Sequence, residues 1–222
     1  GEKVAIVGAT GAGKSTLMSL LSRFYDVQRG AILVDGVPVT DVPQRELRRH
    51  VGVVLQDPFL FTDTVQENIR LRDTSVTSER VRAAARLVGA DAFIMKMRRG
   101  YETVLAERGA NLSTGQKQLL ALARVAAFNP EIVLVMDEAT ASIDPETEAS
   151  IQASIQRVTA GRTSIIIAHR LNTIRHVDRI IVLHRGRVAE TGTHGELLAR
   201  RDVYYRLYEL QYKDQDLTHA GG

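Results

Sequence analysis

The sequence predicts an α/β fold built on a mainly parallel sheet, and three observations carry that expectation. Short β-branched runs recur along the chain and alternate with helical patterns. The runs are continuously apolar, as strands covered on both faces are. No internal repeat or low-complexity linker breaks the alternation. The expected strands are Lys3 to Val7, Val51 to Leu55, Ile132 to Met136, Thr163 to Ala168 and Ile180 to Leu183. The run "STLMSLLSRFY" after the first strand reads as a helix. Between roughly Asp57 and Asn129 the strand signal disappears and helix formers dominate, as in "SERVRAAARLVGADAFIMKM", so this stretch reads as an inserted helical lobe. "VLHRGRVAETG" reads as a hairpin turning at Arg185 and Gly186, and "GELLARRDVYYRLYELQ" as a helical tail.

Composition narrows the function classes. The 222 residues are 44% hydrophobic and 25% charged, an ordinary globular balance long enough to bury a sizeable core. A net charge of +3 is too mild to argue for a nucleic-acid partner. The clusters Arg45, Arg48, Arg49 and Arg98, Arg99 read as solvated faces. With no cysteine, disulfides and thiolate metal sites are excluded. The longest apolar stretches, "VAIVGA", "IVLVM" and "SIIIA", fall far short of the roughly 20 residues that span a bilayer. The opening "GEKVAIVG" is a charged turn running straight into a strand, so no signal peptide is expected, and so little lead-in suggests a piece of something longer.

The strongest motif is "GATGAGKST", Gly8 to Thr16. Gly8, Gly13, Lys14 and Ser15 fit the spacing of a phosphate-binding loop set between a strand and a helix, the context the motif requires. Glycines let backbone N–H groups of Gly8, Ala9, Thr10, Gly11, Ala12 and Gly13 curl around phosphate oxygens, and the helix N-terminus adds positive potential. Lys14 places a point charge on the β and γ phosphates, and the Ser15 hydroxyl suits Mg²⁺. Further along, "IVLVMDEAT" ends an apolar strand with two acids. Asp137 would organise Mg²⁺ and its waters, and Glu138 would polarise an attacking water. Gln56 follows the strand "VGVVLQ", within reach of Mg²⁺ or the water, and His169 follows "TSIIIA". All four features fall at the carboxyl ends of expected strands, the edge where open α/β sheets bind ligands.

A second cradle follows about a hundred residues later. In "LSTGQKQ", Ser113 reads as a helix N-cap with Gln116 three residues on, as in a capping box, and Asn129-Pro130 stops the helix. The Ser113 hydroxyl and the N–H groups near Thr114 and Gly115 would also suit a γ phosphate.

In these motifs the chain resembles the nucleotide-binding domain of ABC transporters. "GATGAGKS" corresponds to Walker A, "LSTGQ" to the signature, "IVLVMD" to Walker B, "ASID" to the D-loop and His169 to the switch histidine. The resemblance implies an α/β P-loop NTPase (RecA-like) core, residues 1–56 and 130–222, with a helical signature subdomain over about 57–129. It implies ATP and Mg²⁺ as cofactors, with Gly8 to Thr16 and Gln56 on the chain's own nucleotide. Ser113, Thr114, Gly115 and Gln116 would act on the ATP of a second nucleotide-binding domain, identical or different, in a head-to-tail dimer. Lys14, Glu138 and His169 would carry catalysis.

"DPFLFTDTVQENI", "YETVLAERGANLS" and "AETGTHGELL" are similar to the exporter branch, in which the domain follows a membrane-spanning half. The stretch around Glu107 would sense that half from the cytoplasmic face, with no direct membrane insertion by this chain. Thr114, Ala141 and Ala106 depart from the residues common in the family. The family's adenine-stacking aromatic and antiparallel strands lie upstream of the P-loop, and only seven residues precede Gly8, so these are expected to be truncated. A DNA-repair or chromosome ATPase of this type would insert long coiled coils or cysteine-rich modules, and a nucleotide kinase would not explain "LSTGQ".

Overall fold

The computed structural model describes residues 1–55, 57–137, 144–168 and 171–211 of the chain. The chain opens on strand β1 (Lys3–Val7), then helix α1 (Lys14–Leu21), a small hairpin of β2 (Leu33–Val34) and β3 (Val37–Pro38), helix α2 (Gln44–His50) and strand β4 (Val51–Val54). Helices α3 (Val65–Arg70), α4 (Ser78–Leu87), α5 (Asp91–Ile94) and α6 (Thr114–Phe128) follow, joined in part by single 3₁₀ turns. Strand β5 (Ile132–Asp137), helix α7 (Pro145–Thr159), strand β6 (Thr163–Ala168) and helix α8 (Leu171–Arg175) come next. The chain then forms the hairpin of β7 (Arg179–His184) and β8 (Arg187–Gly192), and ends in α9 (His194–Arg200) and α10 (Val203–Gln211).

Every expected strand is present to within a residue at either end. Two local features differ from the sequence reading. The β2–β3 hairpin was not anticipated, although Asp35-Gly36 carries the signal for it: both residues adopt positive φ, 49° and 79°, as a tight hairpin turn requires. The helical tail is two helices, because Arg201 takes φ 55° and closes α9 before α10 begins.

The strands form a six-stranded sheet in the order β4-β5-β6-β1-β7-β8. β1 runs parallel to both its neighbours, with Ile6 opposite Ile167 on β6 and Ile181 on β7. β8 pairs antiparallel with β7 through the turn at Arg185 (φ 51°) and Gly186 (φ 75°). From β1 the chain moves out to β4, returns through β5 and β6, and crosses β1 to reach β7. The order therefore reverses beside β1, and the crevice beyond the carboxyl ends of such strands is where open sheets place ligands.

Two compact units divide the chain: Gly1–Val51, Leu134–Ala139 and Arg162–Gly222 in one, Gly52–Val133 and Thr140–Gly161 in the other. In the first, Ala5, Ile6 and Val7 of β1 are buried, as are Ile180 and Val182 of β7. The second is helical. α6 packs along α3, α4 and α7, and α7 belongs to this unit for that reason. Four of its helices start at a side-chain cap. Thr64, Thr77, Ser113 and Asp144 each accept a hydrogen bond from an N–H in the first turn of α3, α4, α6 and α7.

Within the helical unit a buried polar clasp orders the segment before α3. Asn68 is 1% exposed. Its amide nitrogen reaches the carbonyls of Phe61 (2.9 Å), Asp63 (3.3 Å) and Thr64 (3.0 Å), and its oxygen accepts from Phe61 N–H at 2.8 Å. Arg124 of α6 closes the clasp, donating to the carbonyls of Asn68 (3.0 Å) and Phe59 (3.2 Å). Burial pushes its pKa below the ordinary arginine value. The clasp leaves Phe59 and Phe61 half-exposed, edge to face with ring centres 5.0 Å apart. The arginines read as solvated, Arg45, Arg48, Arg49, Arg98 and Arg99, are all exposed, and Arg48 stacks over Phe24.

Candidate functional site

The loop from Gly8 to Gly13 leaves the buried end of β1 and returns into α1. Gly8 is buried and has φ 157°. A Cβ there would lie 2.4 Å from the Leu183 carbonyl oxygen on β7, so only glycine lets the two backbones pass. Gly13 caps α1 in the left-handed region (φ 103°), with no side chain bonded to the helix N-terminus and no acid in the first turn. The first N–H groups of α1 therefore keep their donors, and the helix dipole adds its positive end.

Lys14 is buried to 8% exposure, yet its ammonium is solvated by the loop itself. Nζ donates to the carbonyls of Gly8 at 2.6 Å and Ala9 at 3.1 Å. Its cation is thus fixed in the concavity of the loop. The loop is braced from both sides: Ala12 N–H donates to the Ala9 carbonyl (3.1 Å), and Gly186 N–H, in the β7–β8 turn, donates to the Ala12 carbonyl (3.2 Å). The Ala12 methyl is buried against Ile6 and Leu183, with Leu17 beside them. Ala9, Thr10, Gly11, Ser15 and Thr16 face solvent. The result is a concave array of N–H donors with a buried cation, rimmed by hydroxyls, and it suits a polyphosphate.

The second cradle stands in the helical unit. Ser113 accepts the Gln116 N–H at 3.2 Å, and Gln116 Oε1 accepts the Ser113 N–H at 3.1 Å, a complete capping box. The Gln116 side chain is therefore engaged in holding the turn, while the Ser113 hydroxyl still has a proton to donate. Ser113 and Thr114 are exposed and Gly115 is buried. Asp144, the last residue of "ASID", caps α7 by accepting the Thr147 N–H at 2.9 Å. That hydrogen bond, with a second from the Thr147 side chain, holds its carboxyl below the ordinary value of 3.8. Glu107 is exposed at the start of a 3₁₀ turn, next to Val104, which is also exposed.

Gln56, Glu138, Ala141 and His169 lie outside the described residues, and Asp137 is described only as the last residue of β5. The donors on hand fit Mg²⁺ in kind: a serine hydroxyl and an aspartate are hard oxygen ligands, and this ion takes one or two protein oxygens together with substrate phosphates. Sequence reasoning missed the Gly186 brace and the Asn68–Arg124 clasp. "HRG" and "ENI" carry no signal for them, since each depends on a partner far away in the chain.

Residues 1–141 match the ABC transporter family. A probable multidrug resistance ABC transporter ATP-binding/permease protein of Bacillus subtilis, YheH, is 49% identical over 211 residues, covering 95% of this chain and 31% of its own length. YknV, an uncharacterized ABC transporter ATP-binding protein of the same organism, is 48% identical over 212 residues, 96% of this chain and 35% of its own. Among solved structures, that of a bacterial Atm1-family ABC exporter with ATP bound superposes with a TM-score of 0.87 at 44% identity, over 95% of this chain and 37% of that one. The chain thus spans about a third of the length of these proteins.

Proposed function

This chain belongs to the ABC transporter family as an exporter-type nucleotide-binding domain, and from that membership we propose that it binds and hydrolyses Mg·ATP in a head-to-tail dimer, driving export through attached transmembrane domains. The observation that carries the reading is the braced loop with Lys14 buried inside it. Phosphate oxygens compete with the Gly8 and Ala9 carbonyls for the ammonium, and the N–H groups of Gly11, Gly13 and the first turn of α1 hold the β and γ phosphates. Ser15 and Asp137 would hold the Mg²⁺ ion, which when bound neutralises charge on those phosphates. Gln56 and His169 orient the attacking water, and Glu138 takes its proton as the oxygen bonds to the γ phosphorus and the bond to the β phosphate breaks. The Ser113 hydroxyl and the N-terminus of α6 serve the partner's nucleotide, for which the capping box preserves their geometry. On this reading residues 1–56 and 130–222 form the ATPase core, about 57–129 the signature subdomain, and the domain works at the cytoplasmic face of the membrane. No helix among the described residues is long and apolar enough to cross it.

The test is light scattering behind size exclusion on Glu138→Gln, with turnover measured in parallel. The substitution should lower turnover by about 10²–10⁴-fold, the range for a general base, and yield a dimer only with Mg·ATP. Turnover at the parent rate would remove Glu138 from its role. A persistent monomer with ATP demonstrably bound would overturn the self-sufficient dimer.

A further inference from the structure

The resemblance sets the backbone near Gly115 on a partner's phosphate, and the structure supplies a separate reason, inside the chain, for glycine at this position. A Cβ on Gly115 would lie 2.3 Å from Thr147 Cγ2, in the first turn of α7, and 3.7 Å from Thr147 Cβ and Ile151 Cδ1. The methyl of Thr147 therefore occupies the space that any side chain at Gly115 would take. The rest of Thr147 is committed in the other direction: its N–H donates to Asp144 at 2.9 Å, and its side chain lies against the same carboxylate and helps hold its pKa down. Thr is β-branched, so its two γ atoms cannot be repositioned independently. Asp144 is also fixed by Pro145 behind it, which suits the first position of α7.

We infer that Thr147 is a positioning residue that locks the N-terminal turn of α6, carrying Ser113 and Gly115, to Asp144 at the start of α7, so that the two segments shift together. The hydroxyl grips Asp144 and the methyl sets the approach of the α6 backbone. Gly115 is then glycine because of Thr147, whatever approaches it from outside.

The test is a swap of one methyl group across the contact, read on the whole chain as thermal midpoint and as kcat and KM for Mg·ATP. Gly115→Ala forces α6 and α7 apart and should lower kcat by about 10- to 100-fold, the usual consequence of an ångström-scale misplacement. Thr147→Ser removes the methyl that an added Cβ would meet and keeps the hydroxyl; opposite Gly115 it loosens the contact without forcing the helices apart, and should lower kcat by less than Gly115→Ala does. The double variant leaves a 3.7 Å Cβ to Cβ contact and should recover most of the lost kcat. Thr147→Val keeps the methyl and loses the grip on Asp144. It should lower kcat with KM unchanged, since the P-loop still binds the nucleotide. A double variant whose midpoint returns to the parent's while kcat stays at the Gly115→Ala level overturns the inference, as does a neutral Gly115→Ala. Only the turnover readout depends on the proposed ATPase activity. In a chain that turns over no ATP, non-additive midpoints of the two single variants still support the lock, and additive ones refute it.

Discussion

Gly8→Ala is the sharpest perturbation of the phosphate loop. The added Cβ would meet the Leu183 carbonyl oxygen at 2.4 Å, where ordinary contact begins at 3.4 Å, so β1 and β7 must separate locally by about 1 Å. The obstacle is backbone, held in register by the β1–β7 pairing of Val7 with Val182, and cannot swing aside as a side chain would. Overpacking of this kind costs about 1–3 kcal/mol, which lowers the thermal midpoint of a chain this size by roughly 2–12 °C. The same movement displaces the Gly8 carbonyl that holds Lys14 Nζ at 2.6 Å, and a misplacement of about 1 Å costs on the order of a hundredfold in rate. The assay pairs thermal unfolding with titration of a fluorescent ATP analogue and with turnover of Mg·ATP, which reads the rate. Gly11→Ala is the control, since nothing lies within 4 Å of its Cβ and only its φ of 78° is unfavourable. Gly8→Ala with the midpoint and affinity of Gly11→Ala would refute the close-approach argument.

Two further outcomes follow from contacts away from the loop. Asn68→Ala leaves the Phe61 N–H without its acceptor and takes one of two donors from each of the Phe61, Asp63 and Thr64 carbonyls, and at about 1 kcal/mol per hydrogen bond lost it should destabilise the chain by roughly 2–4 kcal/mol. Limited proteolysis should then cut between Phe59 and Asp63 before the rest of the helical unit, whereas intact protection of that segment would deny the clasp its role. Asp144 is held below 3.8 by the Thr147 hydrogen bonds. A lowered folded-state pKa contributes stability that is complete above about pH 4 and is lost as pH falls through the folded value. Glu196, held low by its capping bonds from Thr193, acts in the same sense. Asn caps a helix but does not titrate, so Asp144→Asn should flatten the acid limb of stability below about pH 4 and lose, in the neutral region, only what the charged carboxylate adds over a neutral cap. An unaltered limb, measured by denaturant midpoint against pH, would show that the cap does not titrate with folding.

Much of the architecture was legible in the residue pattern because its determinants are local. "KVAIV" and "TSIIIA" are continuously apolar after their polar openings and appear as β1 and β6 at the expected bounds. Ser113 with Gln116 forms the capping box that the spacing implies. Arg185-Gly186 turns the hairpin. The phosphate-loop spacing, the strand before it and the helix after it are all contained in about twenty contiguous residues, and so the family resemblance was readable as well. What the tertiary structure alone decided were the pairings between residues remote in sequence. Lys14 sits on its own loop's carbonyls, but the loop's shape also rests on Gly186 and Leu183, some 170 residues away. Asn68 and Arg124 look like unremarkable helix residues until α3 and α6 pack, when burial leaves each polar group a single set of partners. Gly115 reads as one more signature glycine, and only the crossing of α6 over α7 shows that the methyl of Thr147 fills its place. Sequence carries propensity and spacing along one dimension, whereas excluded volume and the satisfaction of buried polar groups act between segments and exist only once the chain has folded.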